Sequence, residues 1–314
     1  MNKVVTFIKD WTLPISMVTG VLIYLAFHNF SFLEPTKPAV RQIEETATPL
    51  LIFMQLLLAF CKTEPKNFKF TRWHLWFIVF QVVVSSVAYI AIAQFNPILA
   101  QGALVCLICP TATAASVVTQ KLGGCAETLI TYTVLINLVA AIYVPTVFPI
   151  IYPHDGMVFT AAFLKMLGKV LPLLLFPFLL MVIFRYIIRP VYNWMHNHSS
   201  WAFYLWAVSL AMVTGKTAKS IVDDSGQIGI VFGLSAVSML ACALQFTVGK
   251  AIGRRNNDVI SAGQSLGQKN TVLAIWMSYT YLEPISSVAA GTYVLWQNCF
   301  NSYQLWRKRK ETEC

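Results

Sequence analysis

Apolar residues in this chain gather into runs of about 17–25, the length that crosses a bilayer as a helix. Ten such runs are read at roughly 12–28, 46–61, 73–93, 97–120, 127–151, 158–184, 202–220, 228–252, 258–280 and 285–306. Two of them are interrupted by polar residues. In the fourth run the interruption is Cys109-Pro110-Thr111-Ala112-Thr113-Ala114-Ala115-Ser116, and in the ninth it is Ala262-Gly263-Gln264-Ser265-Leu266-Gly267-Gln268-Lys269-Asn270-Thr271. At hydrocarbon depth no water satisfies a broken backbone, so such a break belongs inside protein or beside an aqueous cavity. A lysine there costs roughly 2.5–3.5 kcal/mol on insertion scales and is expected to face a pathway or a partner.

Splitting ten spans into five and five puts one break at the same place in each half. An odd number of spans per half inserts the halves in opposite senses. The expectation is an all-α membrane protein of ten transmembrane helices in two inverted five-helix repeats, residues 1–152 and 153–314, with broken helices four and nine crossing at the midplane. Half-helix N-termini favour anions and unwound carbonyls favour cations, so such a crossing offers both kinds of site side by side. This is the sequence pointer to a secondary transporter.

Charge orients the chain. With the N-terminus inside, sixteen Lys and Arg fall on the cytoplasmic side and six outside (Lys37, Arg41, Lys165, Lys169, Lys216 and Lys219), with Lys269 within the ninth span. The positive-inside rule therefore predicts a multi-pass protein of the inner cell membrane with both termini cytoplasmic. The net charge of +10 is topological by this reading, because the basic residues are scattered among apolar spans instead of forming a face for nucleic acid. No nucleic-acid or protein partner is implied; the lipid bilayer is. The first run, Trp11 to Phe27, lacks a small-x-small cleavage site and is expected to be a span and not a removed signal.

Other chemistry is weaker. The seven cysteines have no framework spacing, and Cys106-x-x-Cys109 lies within a span without the strand context of a redox motif. His196 and His198, in a segment read as the longest loop, lack a third ligand for a metal, and no cofactor is implied. Asp223 and Asp224 beside Lys216 and Lys219 read as a solvated loop, Glu127 as a first-turn acid, and Gln245 and Thr247 either reach the crossing or satisfy each other. Trp and Tyr near the span ends read as an aromatic belt. No His-Glu-x-x-His, paired Asp or Gly-x-Ser-x-Gly falls within a span, which counts against an intramembrane enzyme. A non-transporting sensor would carry the same site residues.

At the two breaks the chain resembles the bile acid:sodium symporter family, whose bacterial members share a ten-helix fold with an inverted five-helix repeat. Cys109-Pro110-Thr111-Ala112-Thr113-Ala114-Ala115-Ser116-Val117 is similar to the family's Cys-Pro-Gly-Gly-Thr-Ala-Ser-Asn-Val. Ser265-Leu266-Gly267-Gln268-Lys269-Asn270 is similar to Glu-Val-Gly-Met-Gln-Asn, and Val294-Leu295-Trp296-Gln297-Asn298 to Val-Trp-His-Asn. Gln81 falls where the family places a glutamine ligand. The likeness covers nearly the whole chain. It implies a panel and a core, a cavity beside the crossing, and sodium-coupled import of organic anions such as bile acids or small carboxylates. Substrate residues carry over to Thr113, Ala114, Asn270, Gln297 and Asn298, and a sodium-site hydroxyl to Thr133.

The departures fall on the cation ligands. The family's Ser-Asn pair is Ala115-Ser116 here, its shared ninth-helix Glu is Ser265, and the glutamine of its second sodium site is Lys269. An ammonium cannot coordinate a cation, and a hard cation needs several oxygens, usually with a carboxylate among them. The expectation is a transporter of organic anions with altered or lost sodium coupling, in which the Lys269 ammonium stands where Na⁺ would. If Lys269 stays protonated the protein is a uniporter or exchanger; if it sheds its proton, it can carry one each cycle. The alternative is a sodium symporter of the usual type, its cation held by Gln81, Ser116, Thr133 and Gln268.

Overall fold

The computed structural model describes residues 12–62, 65–112, 114–153, 157–223 and 228–313. Among these the regular structure is helical, with no strand. In chain order come α1 (Thr12–Asn29), α2 (Lys37–Cys61), α3 (Arg72–Ala93), α4 (Pro97–Ile108), α5 (Ala115–Leu122) and α6 (Ala126–Ile151). They are followed by α7 (Phe159–Tyr186), α8 (Arg189–Asn197), α9 (Trp201–Asp223), α10 (Ile228–Arg255), α11 (Val259–Gly267), α12 (Thr271–Tyr281) and α13 (Ser287–Glu313). Ser31–Cys61, α3, α6, α7 and α10 are long and apolar enough to cross a membrane.

The helices differ from the apolar runs where polar residues are helical too. α2 begins at Lys37, well before the apolar run at 46, because Pro38 sits in its first turn, where a missing N–H costs nothing. α13 likewise runs through the basic residues to Glu313. The segment read as the loop 185–200 contains α8. Pro190 opens it, Tyr192 and Met195 are its buried side, and His196 Nδ1 lies 2.9 Å from the carbonyl of Cys61 at the end of α2. His198 bonds to the Trp194 carbonyl and stacks on that ring. Both histidines are thus occupied structurally.

Packing separates two groups of helices. α9 lies against α1 and α2, and α2 against α7. In the other group α3 packs on α4, and α10 packs on α4, α11 and α13, while α6 reaches across to α7. A cluster including Leu56, Phe60, Leu104, Ile108, Val144, Phe148 and Leu174 fills the seam between them. A close approach of backbones within the second group uses Gly249-x-x-x-Gly253 on α10. A Cβ at Gly249 would meet the Ala262 carbonyl oxygen at 2.8 Å, and one at Gly253 the Asp258 oxygen at 2.5 Å. Only hydrogen fits, as at small-x-x-x-small helix contacts in membranes. The pair seats α11 against α10.

Candidate functional site: the crossing of two interrupted helices

The fourth run is two helices. α4 starts on Asn96, whose side chain caps the Ile98 and Leu99 amides, and ends at Cys109, which is held extended by the proline after it. α5 resumes at Ala115. The ninth run is also two. Asp258 caps α11 at the Ser261 amide, Gln268 is extended, and Asn270 caps α12 through the Leu273 amide. The second break has no proline; it is held open by bonds from outside its own helices.

Those bonds come from the first break. Thr111 and Lys269 form an isolated antiparallel bridge, with Ala112 N donating to Gln268 O at 2.9 Å and Asn270 N to Pro110 O at 2.8 Å. Exchanging each residue for the one 158 positions away (269 − 111 = 158) turns either bond into the other. The side chains obey the same exchange. Thr111 Oγ1 donates to Ser265 O at 2.6 Å, and Lys269 Nζ donates to Leu107 O at 3.3 Å; Leu107 and Ser265 are again 158 apart. Each break sends a donor to the last turn of the other broken helix, where unpaired carbonyls carry a partial negative charge.

Lys269 is 1% exposed, so its amine does not reach an interface. Among the described residues no carboxylate forms an ion pair with it. Its acceptor, Leu107 O, also receives Gln81 Nε2 at 2.8 Å, and the same amide reaches Cys109 O at 3.3 Å. The buried hydroxyl of Tyr132 donates to Gln81 Oε1, which fixes the amide so that its N–H groups face the carbonyls. A second Gln–Tyr pair stands on the other arm. Tyr293 OH donates to Gly267 O at 2.9 Å, and Gln245 Nε2 reaches Tyr293 OH at 3.0 Å and Cys106 O at 3.1 Å. Gln245 therefore serves the crossing and not Thr247, which is exposed.

The sequence-predicted residues divide among three places. Lys269, Gln268, Asn270, Ser265 and Gln81 meet at the crossing, and Gln297 joins them by accepting from Lys269 N at 2.9 Å. Ser265 Oγ and Gln268 Oε1 are buried there without a hydrogen-bond partner among the described residues. Ser116 and Thr133 are elsewhere, lining with Ala59, Phe60, Ala112, Leu129 and Ile130 a cleft of about 10 Å³ between α2 and α6, room for roughly one water. Gln81 does not line that cleft. Ala114 and Asn298 are half-buried at the start of α5 and on α13, and Thr113 lies outside the described residues. A larger cavity of about 440 Å³, lined by residues including Thr71, Trp73, Gly124, Asn257 and Asp258, contains none of them.

Tyr132 and Tyr293 escaped the sequence reading, which took Thr111 only as part of the first break and not as a donor to Ser265 O. A faint signal exists: Tyr132 and Tyr293 are 161 apart, and Gln81 and Gln245 are 164 apart, both near the spacing of the breaks.

Several membrane-length apolar helices around a buried polar crossing define a multi-pass membrane protein of the transporter class. The chain belongs to the SBF-like CPA transporter family, whose model matches residues 40–306. That family is bile acid:sodium symporter-like, and the resemblance read from the motifs is thereby borne out. No curated protein matches the chain.

Proposed function

We propose that the protein is a secondary transporter of small organic anions, built as ten spans in two inverted five-helix repeats with both termini cytoplasmic, and that it works without sodium. The observation that carries this reading is the Lys269 ammonium on the carbonyl end of α4, buried and bonded to Leu107 O. A half-helix carbonyl end is where a coupling cation is coordinated in broken-helix transporters; here a covalently attached cation occupies it. The exchange of hydrogen bonds between residues 158 apart supports the repeat, since two halves related by a pseudo-two-fold axis produce that pattern. Asn298 and Ala114, both half-buried, remain the substrate contacts we favour with Thr113, Asn270 and Gln297. Bile acids, pantoate-like and pyruvate-like acids and sulfonates all suit one positive group within an apolar surround.

A second reading has one observation in its favour. Ser265 Oγ and Gln268 Oε1 are buried oxygens without partners among the described residues, a remnant of a cation site that would restore sodium coupling. Uptake of radiolabelled organic anions into proteoliposomes separates the two. With an inward Na⁺ gradient, an inward proton gradient or neither, the wild type is expected to take up anion equally well without Na⁺, and Lys269→Gln to lose that uptake. Uptake that requires Na⁺ overturns the ammonium reading in favour of the second.

A further inference from the structure

An ammonium has three N–H donors, and among the described residues Lys269 Nζ makes one hydrogen bond, to Leu107 O. The described ion pairs of the chain are Lys37 with Glu34, Lys216 with Glu44 and Lys219 with Asp223, all on other helices. Thr111 shows that the bond itself needs no charge, because its hydroxyl makes the equivalent contact to Ser265 O at 2.6 Å. A neutral donor holds one arm of the crossing; the other arm carries a positive charge that its hydrogen bond does not require.

We infer, resting on the transporter reading above, that the substrate's single negative group is the counter-ion of Lys269 and that the protein is consequently an exchanger of monoanions. Alternating access closes the crossing to water on both sides once in each passage. A lone ammonium then keeps only carbonyl dipoles in a low-dielectric surround, whereas ammonium and anion together are neutral. The loaded crossing moves; the empty one is held back. The cost of a lone charge at this depth, roughly 2.5–3.5 kcal/mol, corresponds to about seventyfold to four-hundredfold in the rate of passage.

The test is counterflow. Proteoliposomes, with Na⁺ and pH equal on both sides, are loaded with unlabelled taurocholate, pantoate, pyruvate or ethanesulfonate, or left empty, and entry of the same labelled anion is followed. Loading is expected to speed entry of at least one of them roughly tenfold or more. Lys269→Arg, which keeps the charge, is expected to retain this acceleration, and Lys269→Thr, which copies Thr111, to abolish it, so that loaded vesicles take up labelled anion no faster than empty ones. Equal entry into empty and loaded vesicles overturns exchange and leaves the transporter reading standing. Accumulation in empty vesicles driven by an inward proton gradient overturns it as well, since Lys269 then gives up its charge in the cycle. A Lys269→Thr protein that keeps the wild-type ratio overturns the part given to the ammonium. Entry of no anion under any condition removes both the exchange and the reading beneath it.

Discussion

The two breaks make the same backbone bonds with different chemistry. At the first, proline stops the helix and threonine supplies the side-chain donor; at the second, no proline is present and lysine supplies it. The first break is written into its own sequence, because Cys109 before Pro110 is pushed out of helical geometry. The second depends on the first. Without Ala112 N on Gln268 O and Asn270 N on Pro110 O, residues 268–270 have no local reason to leave the helix apart from the Asn270 cap. The comparison teaches that the first break is set by its own proline, whereas the second is a docked arm that holds the buried lysine.

Reversing the charge breaks the comparison most strongly. In Lys269→Glu a carboxylate would face the Leu107 carbonyl in a buried site, and the expected result is a loss of about 3–5 kcal/mol of stability in detergent unfolding, with no anion uptake. The next largest effects fall on the tyrosines. Tyr132→Phe leaves Gln81 Oε1 without a donor and Tyr293→Phe leaves Gly267 O without one; each is expected to cost about 1–3 kcal/mol. If the docked arm is the weaker, Tyr293→Phe lowers the melting temperature more than Tyr132→Phe does. Thr111→Val removes one neutral hydrogen bond to Ser265 O and is expected to cost about 1 kcal/mol, with uptake largely kept. A Thr111→Val protein that loses uptake as completely as Lys269→Glu would mean that the two donors are not separable into support and charge. The smallest effect sharpens the frame: Asn96→Ala and Asp258→Ala, one cap on each broken helix, are expected to cost about 1 kcal/mol or less each. Double-mutant unfolding of the two caps is expected to be additive, since they begin different helices.

Much of this was legible from residue types. Polar runs inside apolar spans mark the breaks because hydrocarbon offers a broken backbone no partner, and Pro110, Lys269 and Asn270 each state part of the geometry. What was not legible is what bonds to what. Leu107 and Ser265 act through their carbonyls, and a carbonyl is common to every residue. Tyr132 and Tyr293 look like any aromatic on a helix, and only the pairing with Gln81 and Gln245 sets them apart. Ser116 and Thr133, expected from the resemblance at a cation site, line a cleft with Ala59 and Phe60 of α2, a direction that spacing does not encode. α8 escaped because its apolar side is two residues, Tyr192 and Met195, among Arg, Asn and His.

Thr111 and Lys269 make equivalent contacts, and the codons of threonine and lysine can differ in a single base. A chain with this crossing therefore stands one point mutation from carrying no buried charge there and, where its threonine codon is ACA or ACG, one from carrying two. Within a lineage of such proteins, the number of charges each carrier matches in its cargo can change without rebuilding the scaffold that moves it.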